Sequence, residues 1–208
     1  MIFKDRFDAA NKLAPLLEKY KGASDTLLAA IPRGAVEIGS VLSAKLNLPL
    51  TIVITKKIGA PGNPEYAIGA VAPDGEVILN PDAKGLISSE YLASEAKRLF
   101  EEIRKKYLIF AGSENPPDFA NKTVIILDDG IATGSTVLAA IKYLKRAGSR
   151  KIVVAVPVAA EDSLKKIQAE ADEVICLYAP DWFSAVGQFY ENFRQVEDEE
   201  VKQYLSTV

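Results

Sequence analysis

The chain contains no histidine and only one cysteine, Cys176, among its 208 residues. The absence of histidine excludes Ser-His and Cys-His nucleophile pairs, histidine metal sites and a histidine general base. A single cysteine excludes an internal disulfide, and its apolar setting in the sequence VICLY is typical of a buried strand thiol. The chemistry of this protein therefore has to come from carboxylates, cations, hydroxyls and backbone amides.

Long apolar runs and a strong charge of one sign are also missing. No run approaches the roughly 20 residues of a membrane helix, and the first ten residues are too charged for a signal peptide. A net charge of −3 argues against a nucleic-acid-binding surface. We therefore expect a cytoplasmic protein with neither nucleic acid nor a membrane as partner. Its 49% hydrophobic residues suffice for the core of one domain over 1–208.

Apolar, β-branched runs alternate with segments of helical spacing along the chain. This alternation predicts an α/β fold with a parallel sheet that is covered by helices on both faces. The pattern predicts strands at 26–31, 50–54, 123–127, 151–156 and 173–177. It predicts helices at 5–21 with a bend at Pro15, 34–46, 88–110, 162–169 and from about 136 to Gly148. A hairpin of 67–71 with 76–79 is expected around Asp74-Gly75.

The most informative segment is TVIILDDGIATGSTVLAAIKYL, residues 123–144. A buried strand ends in Asp128 and Asp129, and a small-residue turn over 130–136 leads into a helix. The first-turn amides of a helix have no intrahelical partners and favour an anion. Two acids beside such an anion site suit sugar hydroxyls, or a Mg²⁺ that the substrate brings. The segment therefore predicts a phosphorylated sugar as the ligand.

Within this segment, the thirteen residues VIILDDGIATGST resemble the phosphoribosyl-pyrophosphate (PRPP) loop of type I phosphoribosyltransferases. The GxGxxG and GxxxxGK[ST] patterns of other phosphate-binding turns are absent. The resemblance implies a parallel sheet flanked by helices, with two additions. One is a small hood formed by about 178–208 and part of the N-terminus, and the other is a long helical insertion at about 85–115.

The resemblance also implies roles for the residues of this loop. Asp128 and Asp129 would hold the ribose hydroxyls and, through them, a Mg²⁺ cofactor that PRPP carries. Ile131 would border the base pocket. The 5′-phosphate would be bound by Ala132, Thr133, Gly134, Ser135 and Thr136.

Cations follow two other predicted strands. Arg33-Gly34 comes just before a helix, where glycine lets the backbone approach an anion and arginine offers a fork of donors. By resemblance this is the pyrophosphate loop, although a plain turn with a surface arginine fits the residues too. Lys56 and Lys57 would complement the pyrophosphate, and we expect only one of the two to do so. A solvated lysine pair is the alternative.

Two further segments are assigned by resemblance. The sequence GAPGNPEYAIG after the lysines is similar to a mobile loop that closes over the transition state, with Asn63, Glu65 and Tyr66 as its functional side chains. We expect 57–68 to be poorly ordered without ligand. In the C-terminal YAPDWFSAVGQFYENFR, Phe183 matches an aromatic ring that stacks on the base, while Trp182 is expected in a core cluster.

The resemblance implies transfer of a ribosyl 5-phosphate group from PRPP to a nitrogen acceptor, with release of pyrophosphate and with Mg²⁺ as cofactor. The acceptor is a small molecule, expected to be a nucleobase with purines favoured. Ala132, and Pro157 after the fourth strand, depart from the 6-oxopurine enzymes and leave the base open. A non-catalytic PRPP-binding regulator is the alternative function, and a homodimer is a further expectation.

Overall fold

The main sheet of the protein has five parallel strands. The computed structural model describes every residue except Pro81, Asp82, Lys84, Leu86, Thr207 and Val208, and it leaves the side chain of Glu65 undescribed. The strands of this sheet are β1 Thr26–Ala30, β2 Leu50–Ile52, β6 Thr123–Leu127, β7 Lys151–Val158 and β8 Glu173–Tyr178. They lie side by side in the order β2-β1-β6-β7-β8.

Helices cover both faces of this sheet. They are α1 Arg6–Leu13, α2 Gly34–Leu46, α3 Ser89–Ala111, α4 Ser135–Arg146, α5 Glu161–Gln168 and α6 Asp198–Ser206. Leu28 and Ile125 pack in a core with α1, α2 and α3, while Ala29 and Ile126 pack in a second core with α4. Because successive strand residues point to opposite faces, an apolar run without alternation is what a sheet covered on both sides requires. The predicted fold class is confirmed.

The segment after β2 corrects one expectation. The residues expected to form an irregular loop form two antiparallel strands, β3 Lys56–Ala60 and β4 Asn63–Val71. The expectation that 57–68 is poorly ordered without ligand stays a prediction. β4 also pairs with β5 Val77–Leu79, as the Asp74-Gly75 turn predicts. Glycine permits the close approach of the strands here. A Cβ on Gly59 would lie 2.5 Å from the Pro64 carbonyl oxygen, so the residue that weakens strand propensity is needed for this pairing.

Residues near the N-terminus pack against a C-terminal segment beside the main sheet. The helix expected over 5–21 is an α-helix as far as Leu13 and continues as a 3₁₀ helix, Ala14–Tyr20, that has Pro15 in its first turn. Phe3 forms a parallel bridge with Tyr190. The prediction that Trp182 belongs to a core cluster is wrong, because this side chain is 88% exposed.

Candidate active site

The carboxyl ends of β1 and β6 lie side by side and bring two of the predicted loops together. Ala30 pairs with Leu127, and the Ile31 N–H donates to the Leu127 carbonyl at 2.9 Å. The residue that follows each strand, Ile31 or Asp128, therefore borders the same opening. A cavity of about 310 Å³ lies there, lined by the β1 and β6 loops, Lys57, Val186 and Phe193.

The turn before α4 is held in place by its flanks, and its amides remain available. Ile131 is bridged to Ala159, and the Ser163 hydroxyl donates to the Ala132 carbonyl at 2.6 Å. Gly134 adopts φ +75° at the start of α4, a conformation that favours glycine. Within the described part of the chain, no amide of 132–136 donates to a residue outside α4. These amides form a ready anion site at the helix N-terminus.

The three hydroxyls of this turn differ in their surroundings, although the Thr133 and Ser135 hydroxyls lie within hydrogen-bond distance of each other, at 3.3 Å. Thr133 and Thr136 line the cavity. Ser135 is buried, and its hydroxyl donates to Asn80 Oδ1 at 3.3 Å instead. Ala132 and Gly134 line the cavity through the turn itself, so four of the five predicted phosphate-loop residues border it and Ser135 supports the loop from behind.

The two carboxylates of the site have different surroundings. Asp129 Oδ2 accepts a 2.8 Å bond from Arg6 Nε, and the Asp129 carbonyl accepts a 2.6 Å bond from the Tyr190 hydroxyl. The Asp128 carboxylate accepts only from the neighbouring Asp129 N–H, at 2.9 Å, within the described residues. Asp128 is therefore the carboxylate that is free to meet a ligand.

Burial dominates the electrostatics of this pair. It raises the pKa of Asp128 well above its usual range, and the adjacent charge of Asp129 raises it further. Burial also raises the pKa of Asp129, while Arg6 opposes the change. Lys57 lines the same cavity and lowers the pKa of Asp128. A ligand that brings positive charge or hydroxyl donors would relieve the destabilisation of the Asp128 carboxylate.

Arg6 is a functional candidate that sequence patterns did not reveal. Its side chain is 6% exposed and also donates to the Arg194 carbonyl at 2.8 Å, with the guanidinium 4.2 Å from the Phe193 ring centroid. A Cβ on Gly34 would lie 2.0 Å from Asp129 Oδ2 and 2.7 Å from Arg6 Nε. Gly34, which is expected to let the backbone approach a ligand, thus also leaves the space that the buried Arg6–Asp129 ion pair occupies.

The cations predicted to bind pyrophosphate, Arg33, Lys56 and Lys57, have different surroundings in the structure. The Arg33 guanidinium lies 3.4 Å from Asp198 and borders a 390 Å³ cavity together with Arg6 and Gly34. Lys57 faces Asp128, whereas Lys56 points away from it and pairs with Glu102 at 3.2 Å. The alternation of side chains along β3 accounts for this division.

The aromatic side of the cavity differs from the sequence expectation. Ile131, Val186 and Phe193 line it, while Phe183 packs against Phe189 with ring centroids 5.1 Å apart and lies outside the lining. Tyr66 is 60% exposed on β4 and also lies outside the lining. Asn63, the first residue of β4, is exposed as well, and the Glu65 side chain lies outside the described residues.

A family model described as a phosphoribosyl transferase domain matches residues 3–194. The chain belongs to this family. The match covers both strand-end loops, the hairpin and the cavity described above. The resemblance drawn from the thirteen-residue loop is confirmed.

Individual relatives agree with the family assignment. The crystal structure of the protein TT1426 from Thermus thermophilus has a TM-score of 0.82 at 36% identity, covering 99% of this chain and 98% of that one. A Mycobacterium tuberculosis protein, provisionally named as a phosphoribosyl transferase, is 38% identical over 207 residues. The chain spans 46% of the length of that relative, or about half. An adenine phosphoribosyltransferase from Mycoplasmopsis agalactiae is 30% identical over 129 residues, covering 53% of this chain and 76% of that one.

Two features bear on what a phosphoribosyltransferase domain of this sequence can hold. Among the residues that the structure describes, no group of three or more acidic or cysteine side chains could form a closed metal site. The donor set at the cavity is one ligand-facing carboxylate, Asp128, beside the ion-paired Asp129. Mg²⁺ commonly binds through one or two carboxylates plus substrate oxygens, so this set fits an ion that arrives with a substrate.

The helices of the described residues include none that could span a membrane.

Proposed function

We propose that this chain transfers the 5-phosphoribosyl group of PRPP to a nitrogen atom of a nucleobase, with purines favoured, and releases pyrophosphate. The observation that carries the proposal is the single cavity bordered by Asp128, Lys57 and the free amides of 132–136. A phosphate, a polyhydroxylated sugar and a leaving anion each find a complementary group around it. Membership of the phosphoribosyl transferase domain family supports the same reaction.

The phosphate end of the substrate would bind at the turn before α4. Five successive amides donate to no other group among the described residues, and the helix dipole favours the negative charge. Thr133 and Thr136 add hydroxyl donors at the cavity wall. Because the flanks of the turn are fixed by Ala159 and Ser163, little ordering is needed when the phosphate arrives.

The two acids then take separate parts. Asp128 accepts hydrogen bonds from the ribose hydroxyls, while Asp129 stays paired with Arg6 and fixes the end of β6. Asp128 would hold a Mg²⁺ that arrives with the substrate, and the ion would supply charge neutralisation for the leaving diphosphate. Lys57 and Arg33, which line the two cavities beside Asp128, would stabilise the negative charge that develops on the leaving pyrophosphate.

Catalysis in this arrangement depends on positioning and charge. The displacement at the anomeric carbon passes through an oxocarbenium-like state, and no protein nucleophile is required. The apolar wall of Ile131, Val186 and Phe193 would face the flat acceptor base. Bases suit such a wall because apolar contact and stacking tolerate different ring substituents.

The experiment is a pyrophosphate-release assay with PRPP and Mg²⁺ across adenine, hypoxanthine, guanine, uracil and simple amines. Asp128→Asn is expected to abolish release. Asp162→Asn, which alters an exposed aspartate on α5, is the matched control and should retain wild-type rates. Calorimetric titration of PRPP with the same proteins separates binding from turnover.

Release with one base or a small group of bases supports the transferase and names its acceptor. Tight PRPP binding with no release across the panel would instead support the non-catalytic regulator. Absence of PRPP binding, or full activity of Asp128→Asn, would contradict the proposal itself.

A further inference from the structure

A second cavity, here called the cationic cavity, lies beyond Arg33 and has a volume of about 370 Å³. Three of its lining side chains are cations, from the β1 loop, β3 and α3, and none of its lining residues is acidic. Thr55 also lines this cavity, with its hydroxyl donating to the Thr136 carbonyl at 3.3 Å, and Pro32 borders both this cavity and the one at Asp128. The cations are Arg33, Lys56 and Lys106.

Lys106 is held at this cavity by the way that α3 is anchored. The next residue, Tyr107, is fully buried, and its hydroxyl accepts a 3.0 Å bond from the Ile54 N–H just after β2. The Lys106 ammonium lies 5.0 Å from the ring centroid of Phe110, one helical turn further on. Burial of Tyr107 thus fixes the rotation of the helix and directs Lys106 to the cavity wall.

The charge of the cavity is balanced by acids that do not line it. Asp198, the first residue of α6, contacts both Arg33, at 3.4 Å, and Lys106. Lys56 pairs with Glu102 of α3 at 3.2 Å. The hydrogen bond from Lys106, with Arg33 nearby, holds the pKa of Asp198 below its usual value, so its carboxylate is charged at neutral pH. Glu197 also lies 3.8 Å from Arg33. The Asp198 carboxylate, which bridges two of the cations from outside the cavity, would compete with an exogenous anion for them.

These ion pairs are weak enough to exchange. The side chains of Arg33, Lys106 and Asp198 are each about one third exposed, so solvent screens their attraction. A diphosphate carries several charges and many acceptor oxygens, and it can engage three cations at once. A single carboxylate cannot do so, which gives the diphosphate the advantage in competition.

We propose that Lys106 is a further cationic ligand for the diphosphate group of the substrate in the cationic cavity, beside Arg33 and Lys56, which are already expected at the pyrophosphate. Asp198 is then an internal counterion that the diphosphate displaces, so α6 opposes binding until the diphosphate arrives. The inference rests on the proposed function for the identity of the substrate. In this proposal the long helix α3 contributes a ligand-binding residue, Lys106, and also packs in the core.

The test is calorimetric titration of inorganic pyrophosphate at fixed ionic strength into four variants and the wild type. Lys106→Gln should weaken pyrophosphate binding roughly fivefold, and Asp198→Asn should strengthen it by about threefold. Lys105→Gln, on the exposed face of α3, and Glu199→Gln, also in the first turn of α6, are matched controls and should stay within about twofold of wild type. Circular dichroism establishes that each variant is folded.

Inorganic phosphate and sulfate, titrated in parallel, distinguish a diphosphate site from a general anion site. A preference for pyrophosphate that Lys106→Gln removes supports the proposal, whereas equal binding of all three anions overturns it. Unchanged pyrophosphate affinity in Lys106→Gln, or weaker affinity in Asp198→Asn, also overturns it. If the wild-type protein turns over PRPP while Lys106→Gln and Asp198→Asn keep the wild-type KM for PRPP, the cavity assignment fails and the proposed function stands. If variant effects on pyrophosphate appear without turnover by the wild type, the function is what fails.

Discussion

Arg6→Gln removes the cation that neutralises two carboxylates in a nearly closed environment, Asp129 at 2.8 Å and Glu37 at 3.7 Å. Arg6 is 6% exposed and Asp129 is 17% exposed at the side chain, with 2.8 Å between the paired atoms. Removing one partner of a buried ion pair costs about 3–5 kcal/mol. Because Asp129 keeps some contact with solvent, we expect the lower end, about 3 kcal/mol, which corresponds to a fall in Tm of about 6–12 °C.

The assay is urea and thermal unfolding of wild type, Arg6→Gln, Asp129→Asn and the double variant. If the loss comes from uncompensated carboxylates, Arg6→Gln should cost less when Asp129 is already neutral, with a coupling of about 1–3 kcal/mol. A residual cost is expected from Glu37, whose buried carboxylate also loses Arg6 as its cation. Arg98→Gln is the control, because this arginine forms its ion pairs on the exposed surface of α3 and should lose under about 1 kcal/mol.

The loss should also depend on pH in one direction. Burial raises the folded-state pKa of Asp129 and Arg6 opposes this, so the variant has the higher pKa. A protein in which folding raises the pKa of an acid loses stability as the pH increases from the unfolded-state pKa of that acid, about 4, through its folded-state pKa. The deficit of Arg6→Gln should therefore be largest at pH 8 and smallest near pH 4. A deficit below about 1 kcal/mol at pH 8, or one that does not vary with pH, would refute the reasoning.

Three other outcomes follow from the same site. Asp128→Asn should abolish turnover and yet raise Tm by about 2–4 °C at pH 8, because burial and Asp129 disfavour the charged form. The gain should vanish near pH 4, and a less stable variant at pH 8 would contradict the raised pKa. Gly34→Ala should lose about 1–3 kcal/mol in urea unfolding, since its Cβ would meet Asp129 at 2.0 Å and Arg6 at 2.7 Å, and unchanged stability would show that these groups move aside readily. Phosphate titration followed by NMR should shift the amides of 132–136 first, and shifts confined to Arg33 and the lysines would reverse the ranking of the two anion sites.

The main sheet could be predicted from sequence because each of its buried strands is a short apolar run. The run before Asp128 matches β6, and the strand predicted over 26–31 matches β1 to within a residue. Burial on both faces removes the polar alternation and leaves a signal that is hard to mistake. The acids and the small-residue turn follow in the same continuous segment, so local sequence alone predicts that they lie close together.

Other features depend on contacts that no local pattern records. The hairpin of β3 and β4 carries glycine and proline that lower strand propensity, yet Gly59 is needed for close approach to Pro64. Arg6 and Asp129 are 123 positions apart and meet only when the N-terminal helix docks. Trp182 shows the reverse error, since a large apolar residue predicts burial but this one lies on an exposed loop.

The pairing of β1 with β6 has a consequence for folding and for variation. Thr26 is opposite Thr123, so nearly half of the chain lies between the two strands whose ends create the cavity. Closing a loop of that length is slow, and we expect the site to form late, after local hairpins and helices. The entropy of closure grows only with the logarithm of loop length, by about 0.6 kcal/mol for each doubling. Loops of the intervening segment that belong neither to its helices and strands nor to the cavities can therefore change in length between homologous chains at little thermodynamic expense, provided that both strand ends stay in register.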